Sequence, residues 1–405
     1  MYKKIAIQLL KPGMFIVDSG INWLDEPYLY SDNIEATDLL IKKIIADGFQ
    51  EVFIDLDRCK PGAVIDGLAG EADAFRKATA DVAPDGGSGS YVPPKVAILE
   101  EMPAAKKIYV EALELSKLFM DGIRRGENAD LRKAKPLVDE MIKSLDRNPD
   151  ALMALCKLRA RDDYTYAHSV NVSVLGLMFA KHMGFSREQQ MQAGMAGIFH
   201  DLGKALIPLN VLNAPRSLSE EEFALLRKHP RLGYEQIKKT PGFSQEILMG
   251  VYDHHERFNG GGYPRGVAGD VISLTGRVLG IADVYDALSS TRSYKEAVLP
   301  HRVLGIMYQM RSEDFFPGYM EHFIRMLGIY PVGSVVELQD GKIGVVSGSN
   351  KATPTKPKVL ITRDSEGKLL PPYEVDTSIG QCAPVQRCLT ALESPINPSK
   401  VLGVY

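Results

Sequence analysis

Apolar and polar positions divide the chain of 405 residues into stretches of different rhythm. Up to about residue 80, strand and helix signals alternate. Met14-Phe15-Ile16-Val17 follows the turn Lys11-Pro12-Gly13 and reads as a strand. Ile34 to Asp47 reads as a helix, with Ile34, Leu39, Leu40, Ile41, Ile44 and Ile45 supplying its apolar side and Gly48 its stop. Glu51 to Asp55 reads as a further strand, and Trp23, the only tryptophan, as a core residue. From Pro84 to Pro94 the chain turns to Gly, Ser and Pro, the composition of a linker. Helical periodicity then runs from Ile98 to about Ser312, beginning with helices around Ala104 to Arg124 and Asp130 to Leu145. These two serve equally as packing helices or as a relay from the first module. After Tyr330-Pro331, Val335 to Leu338 and Ile343 to Val346 flank Asp340-Gly341 as a β-hairpin, and Val359 to Thr362 is another strand.

The expected architecture is therefore multidomain. A small α+β module spans residues 1–83, a flexible linker 84–95 and connecting helices 96–148. An all-α core occupies 149–331, and a short β-rich appendage 332–405. The length alone calls for more than one core.

Composition changes this picture little. Apolar residues at 45% and charged residues at 24% are ordinary for a globular protein in water. A net charge of −3 gives no long-range attraction to nucleic acid or anionic membrane. Cys59, Cys156, Cys382 and Cys388 are scattered, which suits reduced thiols in the cytoplasm better than a disulfide framework. Met1 to Ile5 carries charge without a following apolar run, so no secretory signal is expected. No run approaches the ~20 apolar residues of a membrane span.

The chemistry concentrates in the helical core. All eight histidines lie between His168 and His322. His200 and Asp201 are adjacent after an apolar run, and imidazole beside carboxylate can hold a divalent cation. His168 lies upstream, and His229, His254, His255 and Asp283 lie downstream. Asp283 sits on an apolar helix, where a carboxylate is costly unless paired or metal-bound. Lys204, three residues after Asp201, shares its helical face. Glu256 reads as support for a ligand histidine. Each residue also has an ordinary reading: a lone helical His is usually a hydrogen-bonded packing residue, and His182, His301 and His322 keep that reading. Asn259-Gly260-Gly261-Gly262-Tyr263-Pro264 cannot sustain a helix or a strand, and its place after the double histidine puts it at the rim of a site.

Together, His200-Asp201 with Lys204, His229, His254-His255-Glu256, Gly262-Tyr263-Pro264 and Asp283 resemble the HD-GYP family, a branch of the HD-domain metal-dependent phosphohydrolases. The resemblance runs from about Asp150 to Pro331, with the motifs in family order. Residues 1 to about 80, with Leu10 to Met14, Trp23 and Glu51 to Asp55, resemble a domain of unknown function often fused to HD-GYP domains.

The resemblance implies hydrolysis of cyclic di-GMP to linear pGpG or GMP by a bridging metal-bound hydroxide. His168, His200, Asp201 and Asp283 would hold one metal. His229, His254 and His255 would hold a second, with Asp201 bridging. Fe, Mn, Ni, Co and Zn all suit these ligands. Lys204 would add charge beside the scissile phosphate, and Tyr263, Arg292 and Lys295 would contact the dinucleotide. Members that hold a third metal carry a Glu four residues before the first His. Tyr164 stands there, and Asp162 and Asp163 are out of register, so two metals are expected. The GYP loop could also face GGDEF-type signalling proteins. Two rival readings remain: a receptor for cyclic di-GMP or a partner protein with little turnover, and a phosphohydrolase for another cyclic dinucleotide.

Overall fold

The structure is a computed structural model that describes residues 2–18, 35–46, 51–55, 59–60, 63, 93–127, 130–158, 164–212, 214, 216, 218–289, 299–311, 313–350, 353–380, 382–390 and 393–404. Trp23, Ile34 and nearly all of the linker lie outside them.

Near the N-terminus, β1 (Tyr2–Ala6), β2 (Ile16–Asp18) and β3 (Glu51–Asp55) form an antiparallel sheet in the order β1-β3-β2, beside helix α1 (Asp38–Ala46). Ile5, Met14, Ile16, Ile44, Val52 and Ile54 give this module its own small core.

Helices α2 (Ile98–Arg124), α3 (Ala134–Arg147) and α4 (Pro149–Leu158) follow. The first begins six residues before the expected Ala104, and Pro103 lies inside it. Burial of Ile98, Met102 and Ala105 outweighs the one backbone hydrogen bond that Pro103 cannot make.

Helix α5 (Tyr164–His182) is the axis of the helical core. Val170, Val172, Val174, Leu175, Leu177 and Phe179 are buried all round it, the pattern of a helix enclosed by others. It packs on α6 (Arg187–Phe199), which starts from a capping box made by Ser186 and Gln189. A Cβ on Gly197 would run into the Ser173 backbone, so only glycine lets the two helices approach where His200 follows. The short helix α7 (Glu220–Leu226) leads into α8 (His229–Lys238). Beyond them come α9 (Gln245–Asp253), α10 (Leu274–Ser289) and α11 (Pro300–Gln309). A further helix, α12 (Tyr319–Leu327), extends the helical region past the expected end at Ser312. Pro317 and a left-handed Gly318 interrupt the periodicity there, which masks the restart.

The C-terminal segment is one antiparallel sheet, ordered β7-β6-β5-β4-β8, from β4 (Val335–Leu338), β5 (Ile343–Gly348), β6 (Lys358–Arg363), β7 (Leu369–Asp376) and β8 (Val385–Leu389). Val335 faces Val345 across the expected hairpin. The sheet shares the core of the helices: Val336, Val346 and Ile361 belong to one apolar cluster with Phe323 and Leu327. Among the described residues, no helix is long and apolar enough to cross a membrane.

Candidate metal centre

The helix ends bring five histidines and two aspartates into one buried pocket. His168 comes from the second turn of α5, His200 and Asp201 from the end of α6, and His229 from the start of α8. His254 and His255 follow α9, and Asp283 lies within α10. Two sets of donor atoms gather within 4.8 Å of one another, His168 with His200 and Asp283, and His229 with His254 and His255. A third set, His200 with Asp201 and His254, joins them.

Backbone carbonyls fix how the rings face. His200 Nδ1 lies 2.8 Å from the Gly197 carbonyl, His229 Nδ1 2.8 Å from that of Leu226, and His254 Nδ1 2.7 Å from that of Val251. A carbonyl only accepts, so each Nδ1 donates and each Nε2 is left bare toward the pocket. His168 Nδ1 donates to Asp286 Oδ2 at 2.7 Å, and its Nε2 lies 2.9 Å from Asp283 Oδ1. Asp201 stands between the two sets, with Oδ1 3.3 Å from His229 Nε2 and Oδ2 3.4 Å from His200 Nε2.

His200 Nε2 and Asp201 Oδ1 are buried and have no hydrogen-bond partner among the described residues. Orphaned polar atoms at this depth are costly, and a cation between them would satisfy both. The donor set therefore fits a divalent metal.

The electrostatics agree. Burial, with Lys204 nearby, draws His229 down to about 4. Burial likewise holds His254 and His255 well below the ordinary histidine value. Burial opposes ionisation of the aspartates, yet Lys204 and His200 keep Asp201, and His168 keeps Asp283, well below the usual carboxylate range. Burial also opposes a charged His168, but Asp283 and Asp286 outweigh it and raise that ring well above its ordinary value. Three neutral imidazoles beside two carboxylates form a state ready for a cation, which would displace the proton of His168.

The rim comes from the glycine loop and α7. A Cβ on Gly262 would collide with backbone atoms of His255, Glu256 and Arg257, so the loop folds tightly back over the double histidine. Tyr263 thereby lays its ring on His255, centroids 4.6 Å apart. Glu256 does not support a ligand histidine as expected. It accepts from the backbone N–H of Arg265 at 2.7 Å and of Val267 at 3.1 Å, tying down the loop. Asp253 turns away to Arg265 and to the Ser273 N–H. Lys204 reaches Asp201, as its spacing predicts. Arg292, Lys295 and the side chain of Tyr164 lie outside the described residues.

Two features escape the sequence reading. Asp286, one turn after Asp283 on the same apolar helix, is a second buried carboxylate, which i, i+3 spacing could have revealed. Arg227 lies with its guanidinium 4.6 Å from the Phe223 ring centre and 5.2 Å from that of Tyr263. Only its nearness to His229 hints at this.

Converging histidines and aspartates beneath a glycine loop suit a divalent metal, and the relatives make the chain a phosphodiesterase of the HD type. The chain belongs to the HD-GYP family of HD-domain proteins. The HD domain family model matches residues 149–317, a domain of unknown function (DUF3391) residues 2–134, and the KOW domain associated with HD domain residues 335–378. Over 381 residues the chain is 32% identical to the cyclic di-GMP phosphodiesterase PA4108 of Pseudomonas aeruginosa, covering 93% of this chain and 88% of that one. Over 149 residues it is 34% identical to the 3'3'-cGAMP-specific phosphodiesterase 1 of Vibrio cholerae, covering 36% of this chain and 34% of that one. Among solved structures, Bd1817, an HD-GYP-type protein of Bdellovibrio bacteriovorus, covers 80% of this chain and is itself covered over 98% of its length. Its TM-score is 0.47 and its identity 16%.

Proposed function

We propose that this chain hydrolyses the phosphodiester bonds of cyclic di-GMP to linear pGpG and onward to GMP, in the cytoplasm, with two divalent transition-metal ions. The carrying observation is the pair of donor sets sharing one buried pocket, with Asp201 between them. His168, His200 and Asp283 would hold one ion, His229, His254 and His255 the other, and Asp201 both. Bound ions supply Lewis acidity to the phosphate and lower the pKa of the attacking water.

The chain's own residues do the rest. Lys204 sets a positive charge beside Asp201 with its side chain 24% exposed, open to an arriving phosphate. Tyr263 walls the pocket over His255. Among the described residues, the Arg227 guanidinium has no carboxylate or hydrogen-bond acceptor, so its donors are available to the phosphate or guanine farther from the cut. Hydrolysis adds a water oxygen to phosphorus and breaks the bond to the ribose 3'-oxygen, which takes up a proton. The four free cysteines suit a reducing compartment.

A second substrate reading, 3'3'-cGAMP, draws on the likeness to the Vibrio enzyme. The test is anaerobic incubation of the protein with each cyclic dinucleotide across Mn, Fe, Co, Ni and Zn, with chromatography of the products. Linear pGpG or GMP from cyclic di-GMP is expected. Exclusive cleavage of 3'3'-cGAMP would overturn the substrate. Tight binding without turnover under every metal would leave a receptor instead.

A further inference from the structure

We infer that Tyr109, on helix α2 and remote in sequence from every candidate ligand, is a positioning residue for the metal ligand His168, acting through Asn171 and Asp286. The inference rests on the metal-site reading above.

Four buried side chains form one hydrogen-bonded line. Tyr109 Oη lies 2.6 Å from Asn171 Oδ1. Asn171 Nδ2 lies 2.9 Å from Asp286 Oδ1. Asp286 Oδ2 lies 2.7 Å from His168 Nδ1. Tyr109 is 1% exposed, and Asn171 and Asp286 are 4% exposed each, so water does not compete for these bonds.

The direction of every bond follows from chemistry. The Asp286 carboxylate accepts only, and so does the Cys156 carbonyl, 3.3 Å from Asn171 Nδ2. The Asn171 amide must therefore present its NH2 to both, leaving its oxygen toward Tyr109. The Tyr109 hydroxyl must then donate. At the other end, Asp286 must take the proton on His168 Nδ1, which leaves Nε2 bare for a metal. Removing the Tyr109 hydroxyl takes away the donor to the buried Asn171 oxygen. The amide is then held only through its NH2, by Asp286 and the Cys156 carbonyl, and fixes Asp286 less firmly.

The origin of Tyr109 gives the line its interest. Helix α2 lies within residues 2–134, the span matched by the DUF3391 family model. The N-terminal region thus holds a ligand of the HD-domain site through one of its own hydroxyls.

The experiment measures metal affinity by titrating the metal-stripped full-length protein with Mn(II) or Co(II), without any dinucleotide. Tyr109→Phe keeps the ring and its packing. It should lower affinity at one site by about tenfold, the lower end of the usual effect of a residue behind a ligand, and alter the Co(II) absorption spectrum. Asp286→Asn should do more. Adding Tyr109→Phe to Asp286→Asn should cost little further, because the line is already broken. Tyr166→Phe removes another contact between α2 and α5, the 3.0 Å hydrogen bond to Asp121, and should leave metal affinity unchanged. Tyr109→Phe with wild-type affinity and spectrum overturns the inference, whatever happens to its melting temperature. An effect equal to that of Tyr166→Phe does so as well. A wild-type protein that takes up no metal overturns the metal-site reading, and the inference with it.

Discussion

Lys204 Nζ lies 2.6 Å from Asp201 Oδ2, an ion pair whose carboxylate is 1% exposed and whose lysine side chain is 24% exposed. One turn of 3-10 helix, Leu202–Leu206, makes the contact. The cation thus sits at the boundary between the closed ligand pocket and its open rim, where charge on a phosphate would build up during cleavage.

Lys204→Met should therefore harm turnover more than metal content. Losing one preorganised positive donor at a reacting oxygen typically costs about a hundredfold or more in kcat. Metal analysis beside steady-state kinetics separates the outcomes. If metal content collapses, Lys204 only holds Asp201 in place.

Asp201→Ala should empty both ion sites. Its two oxygens face different histidines, Oδ1 toward His229 and Oδ2 toward His200 and, at 3.8 Å, His168. His254→Ala should instead weaken mainly the set it shares with His229 and His255. Elemental analysis of both variants decides; unchanged metal in Asp201→Ala would remove the bridging role.

The cluster of candidate ligands was legible because its residues are few, chemically marked and spaced as family motifs. What stood behind them was not. Asp286 shows only through its spacing from Asp283, Asn171 reads as an ordinary polar residue until burial is known, and Tyr109 joins them from 62 positions away. Arg227 reads as a solvated charge. Among the strands, the hairpin showed through its Asp-Gly turn, and Gly341 does adopt a positive φ of 81°. Strand β7 hid behind Pro371 and Pro372, which a strand tolerates at a sheet edge, and an edge is where β7 lies.

Lys157 gives a pH-dependent stability. Its Nζ donates to Ser334 Oγ at 2.6 Å where α4 meets the sheet. Burial pulls its pKa from 10.5 to about 8, against a small opposing pull from Cys388. The folded state thus binds this proton less readily than the unfolded chain. Stability from this group is present above pH 10.5 and is lost as pH falls through 8. Lys157→Met removes the penalty, so it should melt above wild type at pH 7. Its advantage should shrink as pH rises toward 10. Thermal melts at both pH values test this, and a pH-independent difference would count against it.

Arg227 supplies the test of how substrate is held outside the metals. Its guanidinium lies against the rings of Phe223 and Tyr263, and Tyr263 in turn covers His255. The stack fixes the plane of the fork before any ligand arrives, so little rotamer freedom remains to be lost on binding. With cyclic di-GMP as the proposed substrate there are two phosphates and two guanines to hold, and metal ions in the pocket would grip only the phosphate being cut. A charge-assisted hydrogen bond to the other half is worth about 1.5–3 kcal/mol, so Arg227→Ala should raise KM by roughly ten- to a hundredfold. Metal content should not change, because Arg227 touches no ligand oxygen or nitrogen of the pocket among the described residues. Arg227→Lys should recover only part of the loss, since an ammonium lacks the planar fork. Tyr263→Leu removes one face of the stack and should move KM in the same direction. Wild-type KM in Arg227→Ala would mean that the fork serves only the rim, and that Arg292 and Lys295 carry the grip.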